Sequence, residues 1–228
     1  MRELATALAI ALLAGCAGPG PRMPATLEAA AAAPGPIPVG IVWWPADPAN
    51  GAQALVSDVE ECLTARIRES APEIFVVSQR EVRDALYPLL EPATQPATEE
   101  AFAAMLARDD VRARLARRGL RYLIAFAGGT RDAEPGGFIL CGAGYGGGGC
   151  LGFVWQGETT NFDAALWALD DGASVRRESA KVEGTFIMPA FVLPIPIPAR
   201  TKVDACRELG TRIAAAIRQL DAERARTR

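Results

Sequence analysis

The sequence predicts an α/β (α+β) fold in which helices pack on a mixed sheet. Up to residue 127, short apolar runs alternate with stripes of helical period, in the order β-α-β-α-α-β. After Gly128, strand-like runs follow one another, and one long helical stripe closes the chain. Alternating strands and helices are typical of parallel strands joined by right-handed crossovers, whereas consecutive strands indicate antiparallel pairing. We therefore expect a sheet with a parallel part and an antiparallel part.

The first two strands and the helix between them follow from apolar patterning. Residues 38–44 form a short apolar run rich in β-branched side chains, and residues 74–77 form another. Asp47 or Asn50 can cap the helix between these strands. The buried face of that helix is predicted to carry Leu55, Val59, Cys62, Leu63 and Ile67.

Side-chain caps mark the beginnings of the next two helices. Ser78 and Glu81 have the spacing of a capping box, in which each side chain binds the backbone amide of the other. Thr98 is placed to cap the following helix. Glu99 and Glu100 then lie beside the positive end of its dipole.

A further helix begins at Asp109 or Asp110 and ends before Gly119, which suits a left-handed terminal residue. The two aspartates could be proposed as a paired-carboxylate site, but we interpret them as a cap beside a solvated arginine face. That face comprises Arg112, Arg114, Arg117, Arg118 and Arg121. Because no other basic stripe occurs, we expect no nucleic-acid partner. Residues 122–127 form the third strand.

The second half of the chain is predicted to be antiparallel. Strand-like runs cover residues 138–141, 151–156, 162–169 and 175–185, and Asp171-Gly172 is typical of a hairpin turn. Residues 188–198 contain alternating prolines, which indicates an edge or polyproline segment packed on the domain. A final helix opens at residue 201. Its buried face is predicted to carry Cys206, Leu209, Ile213, Ala216, Ile217 and Leu220.

The amino-terminal segment resembles the signal peptide of a bacterial lipoprotein. Residues 4–13 are apolar but too short to cross a ~30 Å hydrocarbon core as a helix. The sequence Leu13-Ala14-Gly15-Cys16 looks like a lipobox. This resemblance implies that the signal peptidase recognises the first three of these residues, that the chain is cut before Cys16, and that its sulfur carries lipid. The alternative is an amphipathic first helix that happens to end in Gly-Cys.

Lipidation would determine the domain boundaries and the cellular location of the protein. Residues 1–15 are then the signal peptide, and residues 16–36, rich in Ala, Pro and Gly, are a tether that spans about 25 Å as a flexible coil. Residues 37–222 form a single α/β domain, followed by a charged tail at residues 223–228 that we expect to fray. Ala17 follows the cysteine where some lipoproteins carry Asp, and by the same resemblance this favours the periplasmic face of the outer membrane.

Composition excludes several kinds of site. The chain of 228 residues has a net charge of −3 and no histidine. Ser-His-Asp and Cys-His catalysis and the commonest zinc ligand sets are therefore excluded, and we expect no cofactor and no metal. Catalysis could rest only on carboxylates such as Glu158, Asp163, Asp170 and Asp171. Because these residues cluster with turn signals, we expect no enzyme.

The glycine-rich loop and the cysteines permit more than one interpretation. Residues 142–147 match G-x-G-x-x-G, but a dinucleotide site needs a helix after that loop, and here a strand-like run follows. We expect no nucleotide and interpret the segment as a hairpin loop that a Cys141–Cys150 disulfide could pin. Cys62 and Cys206 could form a second bridge in an oxidising periplasm. The rival pairing joins Cys150 to Cys206 and leaves Cys62 and Cys141 paired or free.

The order of the elements resembles a known group of envelope domains. The segments are VGIVWW before a long helix, FVVSQREVRDAL, LARRGLRYLIAFAGGT, and AALWALDDGASVRRESAKVEGT with its Asp-Gly turn. This order is similar to the α/β domain shared by the amino-terminal domain of the Tol translocation protein, the curli-secretion lipoprotein and the peptidoglycan-synthase activator lipoproteins. The resemblance covers residues 37–222 and implies binding to envelope proteins without catalysis. The loop at 141–150 and the proline-rich run at 188–198 depart from it.

Two functions follow as hypotheses. The first is an outer-membrane-anchored periplasmic lipoprotein that acts as a non-enzymatic partner-binding or accessory module. The second is a subunit of an outer-membrane secretion channel, as the curli resemblance allows. A channel wall needs amphipathic strands of about 9–11 residues, which residues 138–157 and 184–200 would have to supply. Glycine and proline interrupt both segments, and for this reason we favour the binding module.

Overall fold

The computed structural model describes residues 35–44, 52–170 and 174–227. Its elements in chain order are β1 (Ile37–Trp43), α1 (Ala52–Ser70), β2 (Ile74–Val77), α2 (Gln79–Leu86), α3 (Glu99–Ala107), α4 (Asp109–Arg117), β3 (Tyr122–Asp132), β4 (Gly136–Gly144), β5 (Gly147–Ala168), β6 (Ser174–Val192) and α5 (Thr201–Thr227). The predicted β-α-β-α-α-β order and the mixed α/β class are confirmed. Among the described residues, no helix is both long and apolar enough to cross a membrane.

In the described part of the chain, a single mixed sheet connects the six strands. Its order is β2-β1-β3-β5-β4, and β6 pairs with β5 as well. β1 pairs in parallel with β2 and β3, whereas the pairings of β5 with β3, β4 and β6 are antiparallel. The predicted antiparallel continuation is therefore confirmed. The long strand β5 pairs with β3 and β4 along one edge and with β6 along the other.

Two hydrophobic cores cover opposite faces of the sheet. Leu123 and Ile124, neighbours in β3, belong to different cores because successive strand residues point to opposite faces. One core joins α1 and α5 to the sheet through buried residues such as Val59, Leu63, Ile67, Phe162, Leu209 and Ile213. The other joins α2, α3 and α4 to it through Val82, Leu86, Phe102, Leu115 and Trp167. The predicted helix faces are thus confirmed at these positions.

The helix ends follow local chemistry. The Ser78–Glu81 capping box is present, and the Thr98 hydroxyl accepts a hydrogen bond from the Ala101 amide at 3.3 Å. Gly119 has φ +73°, as expected for a left-handed residue after α4. The cap expected at Asp109 or Asp110 is wrong, because Arg108 occupies that position without a side-chain cap.

The aspartates at the start of α4 instead form ion pairs. Asp110 binds Arg108 at 3.0 Å, and Asp109 binds Arg112 at 2.5 Å. The Arg108 side chain holds the pKa of Asp110 below its usual value, so this carboxylate stays ionised beside the helix dipole.

The strands of the second half are longer than the sequence predicts. The runs at 151–156 and 162–169 belong to the one strand β5, and the run at 175–185 continues to Val192 in β6. Glycine does not end β5 because both edges of this strand are paired. Gly152, for example, lies opposite Ile139 on one side and Ala190 on the other.

The proline-rich segment and the carboxyl terminus also differ in detail from prediction. Residues 188–192 lie in β6, and only the residues after them form an irregular edge, through bridges of Ile187 with Ile197 and of Ala190 with Pro194. Helix α5 continues through Thr227, where we expected a frayed tail after residue 222. Arg224 holds these last turns to Asp170 at 3.0 Å. The predicted Asp171-Gly172 turn lies outside the described residues.

Candidate functional site

The most unusual surface of the protein is a β ribbon without charged residues, which we call the arm (residues 136–157 and 184–198). It consists of β4, the first half of β5 and the second half of β6. No Asp, Glu, Lys or Arg occurs anywhere in it. The segments 138–157 and 184–200, singled out from the sequence, therefore come together in one structure.

A line of charged residues runs across the sheet where the arm begins. Asp132 at the end of β3 lies opposite Glu158 of β5, and Thr159 next to it lies opposite Glu183 of β6. Lys181 binds Glu183 at 2.7 Å and lowers the pKa of its carboxyl, which keeps it ionised. The last charged residues of β3, β5 and β6 before the arm thus lie at one level of the sheet.

One face of the arm exposes large apolar side chains, and we call it the exposed face. Its members are Phe138, Leu140, Leu151, Phe153, Trp155 and Phe191. The strand register places them together, since Phe138 lies opposite Phe153 and Leu151 lies opposite both Leu140 and Phe191. Their exposed fractions range from 44% to 75%. Contiguous exposure of this kind is typical of an interaction site, whereas scattered apolar residues are not.

The opposite face of the arm is apolar as well. Ile139, Val154, Phe186 and Met188 are half-buried there, and Val192 is 65% exposed. An antiparallel sheet with one solvated face normally alternates apolar and polar residues. The arm lacks that alternation, since apolar residues dominate both of its faces.

Glycines allow close packing between β4 and β5 in the arm. A Cβ on Gly136 would stand 2.6 Å from ring atoms of Trp155, which lies opposite it. Gly152 has φ +152°, and a Cβ there would lie 2.2 Å from the Phe138 carbonyl oxygen. The local sequence thus positions the indole and keeps β4 and β5 in close contact.

The G-x-G-x-x-G match lies at the tip of the arm. Gly142 and Gly144 are strand residues of β4, Tyr145 and Gly146 form the turn, and Gly147 opens β5 with φ +123°. A strand follows this segment, whereas a phosphate cradle would need a helix there. The Tyr145 side chain is fully exposed.

A buried hydroxyl network holds the base of the arm to the domain. The Thr130 and Thr160 hydroxyls are 2.9 Å apart, and Thr160 donates to the Thr201 hydroxyl at 2.9 Å. Thr201 in turn donates to the Glu158 carboxylate. Because Thr201 begins α5, the network fixes the position of that helix against β5.

Both disulfides join residues that the fold brings together. Cys141 and Cys150 lie directly opposite each other near the tip and are bonded. Cys62 of α1 is bonded to Cys206 of α5 beneath the sheet. This pairing is the first of the two considered from the sequence. The lipobox residues Leu13, Ala14, Gly15 and Cys16 lie outside the described residues.

The carboxylates considered for catalysis do not converge. Asp163 accepts a hydrogen bond from the Asn161 side chain at 2.7 Å, and Asp170 forms its ion pair with Arg224 near the other end of β5. The Glu158 carboxylate accepts a hydrogen bond from the Thr201 hydroxyl, and Asp171 lies outside the described residues. No group of three or more His, Cys, Asp or Glu side chains in the described part of the chain could hold a metal ion.

Three arginines of the predicted basic face are engaged locally. Arg112, besides its pair with Asp109, donates to the Asp170 carbonyl oxygen at 3.2 Å. Arg114 donates to the Tyr87 carbonyl oxygen at 2.9 Å, and Arg121 lies 2.5 Å from Asp221. These contacts tie α4 and β3 to neighbouring segments of the domain.

No protein-family model matches the sequence, and no curated protein matches it. One similar solved structure is a dodecamer of a PelC variant from Paraburkholderia phytofirmans. The two chains are 10% identical, with 78% of this chain and 86% of that chain covered, and the TM-score is 0.32. At that TM-score the likeness carries no argument about function.

Proposed function

We propose that the chain is a non-enzymatic accessory module of the bacterial cell envelope that contacts its partner through the arm. The observation that carries the proposal is the exposed face, a row of aromatic and aliphatic side chains with no charge among them. Leaving such a surface in water is costly, at roughly 25 cal/mol for each Å² of apolar area. A partner that covers it would recover that free energy.

The proposed location in the cell envelope is supported by the amino-terminal sequence and by the cysteines. Leu13-Ala14-Gly15-Cys16 supplies a lipidation site, and residues 16–36 supply a tether. The bonded pairs Cys62–Cys206 and Cys141–Cys150 suit an oxidising compartment such as the periplasm. We therefore place the domain at the periplasmic face of the outer membrane, held by acyl chains on Cys16.

A non-enzymatic role is supported by the chemistry at hand. The chain has no histidine, and the described carboxylates Glu158, Asp163 and Asp170 bind neighbours at separate places. These contacts bring together neither a nucleophile with its base nor any two of these three carboxylates.

A channel subunit is the second candidate, because the arm strands reach the length of membrane-spanning strands. One edge of the arm counts against it. Ile195 and Ile197 donate inward to β6, so the alternate residues Pro194, Pro196 and Pro198 occupy the positions whose N–H groups would point outward. In a ring whose sheet continued from one copy to the next, this edge would have to donate hydrogen bonds to the neighbouring copy. The three prolines have no N–H group with which to do so.

Two measurements test the proposal. Intact-mass analysis of the mature protein should show a chain that begins at Cys16 and carries acyl groups, and replacement of this cysteine by serine should release the domain from the membrane fraction. An unmodified Met1 would contradict the anchor. Light scattering of the lipidated protein in mild detergent should give a monomer or dimer, whereas a closed ring of many subunits would favour the channel.

A further inference from the structure

We propose that the arm enters a phospholipid bilayer, so that acyl chains cover both of its faces. The inference rests on the proposed function, in which the arm is the contact surface of a membrane-anchored chain. It goes further by naming the partner as lipid.

The apolar residues on both faces of the arm favour an apolar solvent such as lipid over a protein partner that covers one face. Leu151 and Phe153 point to the exposed face, while Val154 and Met188 point to the other, and neither face carries a charge. A protein that docks on a sheet covers one face, and the other then keeps polar residues for water. Acyl chains contact both faces at once, which matches the loss of alternation.

The length of the arm fits a bilayer. From Gly147 to Gly157, β5 is about 33 Å long at the rise of a strand. The hydrocarbon core is about 30 Å thick, and a strand needs about 9–11 residues to cross it. The row of charges at Asp132, Glu158 and Glu183 would then lie at the level of the headgroups.

Aromatic side chains stand at both ends of the uncharged ribbon. Trp155 lies near the charged row, and Tyr145 lies at the tip with its side chain fully exposed. Tryptophan and tyrosine are enriched at the two membrane–water interfaces because their rings are apolar and their N–H and O–H groups are polar. The two residues lie at opposite ends of the arm, as aromatic residues at the two interfaces of one bilayer would.

The edges of the arm specify how it would lie in lipid. Hydrocarbon cannot satisfy an exposed N–H group, and the outward positions at Pro194, Pro196 and Pro198 carry none. In the described residues, β4 pairs only with β5, so its outer edge still presents N–H groups. We therefore expect arms in the bilayer to associate with one another along this edge.

The predicted anchor can reach the same membrane. β1 begins at the end of the sheet opposite the arm, and β3 from Tyr122 to Asp132 separates the two ends by about 33 Å. The twenty residues after Cys16 can extend to about 70 Å. Lipid on the cysteine and the arm can therefore occupy one bilayer together.

Quenching of Trp155 by brominated lipid tests the inference. The full chain is mixed with phosphatidylcholine vesicles whose acyl chains are brominated or plain, and the emission of Trp155 is taken as the difference from a Trp155→Phe chain. Brominated chains should reduce this emission. Phe138→Asp should abolish the loss, whereas Phe75→Asp should retain it, since Phe75 is an apolar residue of β2 that is 58% exposed outside the arm.

Folding and the amino terminus are controlled in the same experiment. All the chains carry the same residues 1–36, so a difference between them reports on the arm. Thermal unfolding of the Phe138→Asp chain should match that of the wild type, and Leu151→Asp serves as a second variant if it does not. Equal quenching in the arm variants and the wild type, or none in the wild type, would overturn the inference.

A second readout separates this inference from the proposed function. A photo-cross-linking residue replaces Leu151 in cells, beside a control in which it replaces Phe75. If Trp155 is not quenched but position 151 gives one specific protein adduct that the control lacks, the lipid inference fails and the accessory module stands. If there is neither quenching nor an adduct, both proposals fail. Quenching together with lipid adducts at position 151 supports both.

Discussion

The indole ring of Trp155 occupies the space that a side chain at Gly136 would need. A Cβ at that position would lie 2.6 Å from the ring, closer than real carbon contacts allow. The two residues are direct partners in the β4–β5 ladder, so this glycine determines where the Trp155 indole lies.

We predict that Gly136→Ala displaces the Trp155 indole. The ring cannot remain flat on β4, and overpacking of this kind typically costs about 1–3 kcal/mol. The indole N–H resonance of Trp155, assigned with a Trp155→Phe chain, should shift. Gly142→Ala is the matched control, since a Cβ there meets nothing within 4 Å. An unchanged resonance in the Gly136→Ala chain would contradict the packing described.

Removal of the buried hydroxyl at Thr160 should loosen the base of the arm. Thr160 is fully buried and binds both Thr130 and Thr201. Thr160→Val keeps the shape but leaves its partners unsatisfied, which costs about 1–3 kcal/mol. Urea unfolding measures the loss. Thr159→Val, on the opposite side of β5 and only half-buried, should change stability much less.

The two disulfides should differ in their contributions to stability. Cys62 and Cys206 are 144 residues apart, and closure of a loop that long stabilises by about 5 kcal/mol in the chain-entropy model. Cys141 and Cys150 are 9 residues apart, for which the same model gives about 2.7 kcal/mol. Double alanine variants of each pair, compared by urea unfolding, should follow this order.

Peptide mapping without reduction checks the pairing itself. Peptides that contain Cys62 and Cys206 should be found linked, as should those that contain Cys141 and Cys150. A peptide that links Cys150 to Cys206 would favour the rival pairing and remove the basis of the stability order.

The ion pair between Glu73 and Arg218 should make stability depend on acid pH. Arg218 of α5 donates to both carboxylate oxygens at 2.5 and 3.2 Å, and these hydrogen bonds lower the pKa of Glu73. A lowered pKa means that the stabilisation is present at neutral pH and is lost as the pH falls through the lowered value. The pair is largely exposed, so the effect is small.

Glu73→Gln should therefore lower the urea midpoint at pH 7, and by a smaller amount at acid pH, because the wild-type carboxyl becomes protonated as the pH falls through its lowered pKa. Glu134→Gln removes an exposed carboxylate from the β3–β4 connection and controls for net charge. If the two glutamine variants behave alike at both pH values, the contact with Arg218 contributes no stability.

Much of the first half of the fold was predictable because its signals are local. The Ser78–Glu81 capping box, the cap at Thr98 and the left-handed Gly119 each depend on residues within one turn of a helix. The buried faces of the helices follow from the period of the α-helix. The Asp109-Asp110 cap failed because Arg108 and Arg112 offered those carboxylates a competing ion pair.

Strand length in the second half was less predictable. Whether Gly152 or Gly157 ends a strand depends on the partners at both edges, which lie as far away as Ile139, Ala190 and Thr185. Local propensity indicates a break at such glycines. Pairing on two sides overrides that propensity, and so β5 continues through positions where the sequence suggests loops.

The sequence by itself determined the fold class, the helix caps at Ser78 and Thr98 and the absence of histidine chemistry, since each depends on composition or on neighbours along the chain. It also contained the two uncharged segments of the arm, but as separate stretches on either side of a charged one. Only the tertiary structure decided that Asp132, Glu158 and Glu183 end the charged region at one level and that Phe138, Leu151 and Phe191 share one face. Strand register sets these relationships through hydrogen bonds between distant residues, and a shift of one residue would move each side chain to the other face.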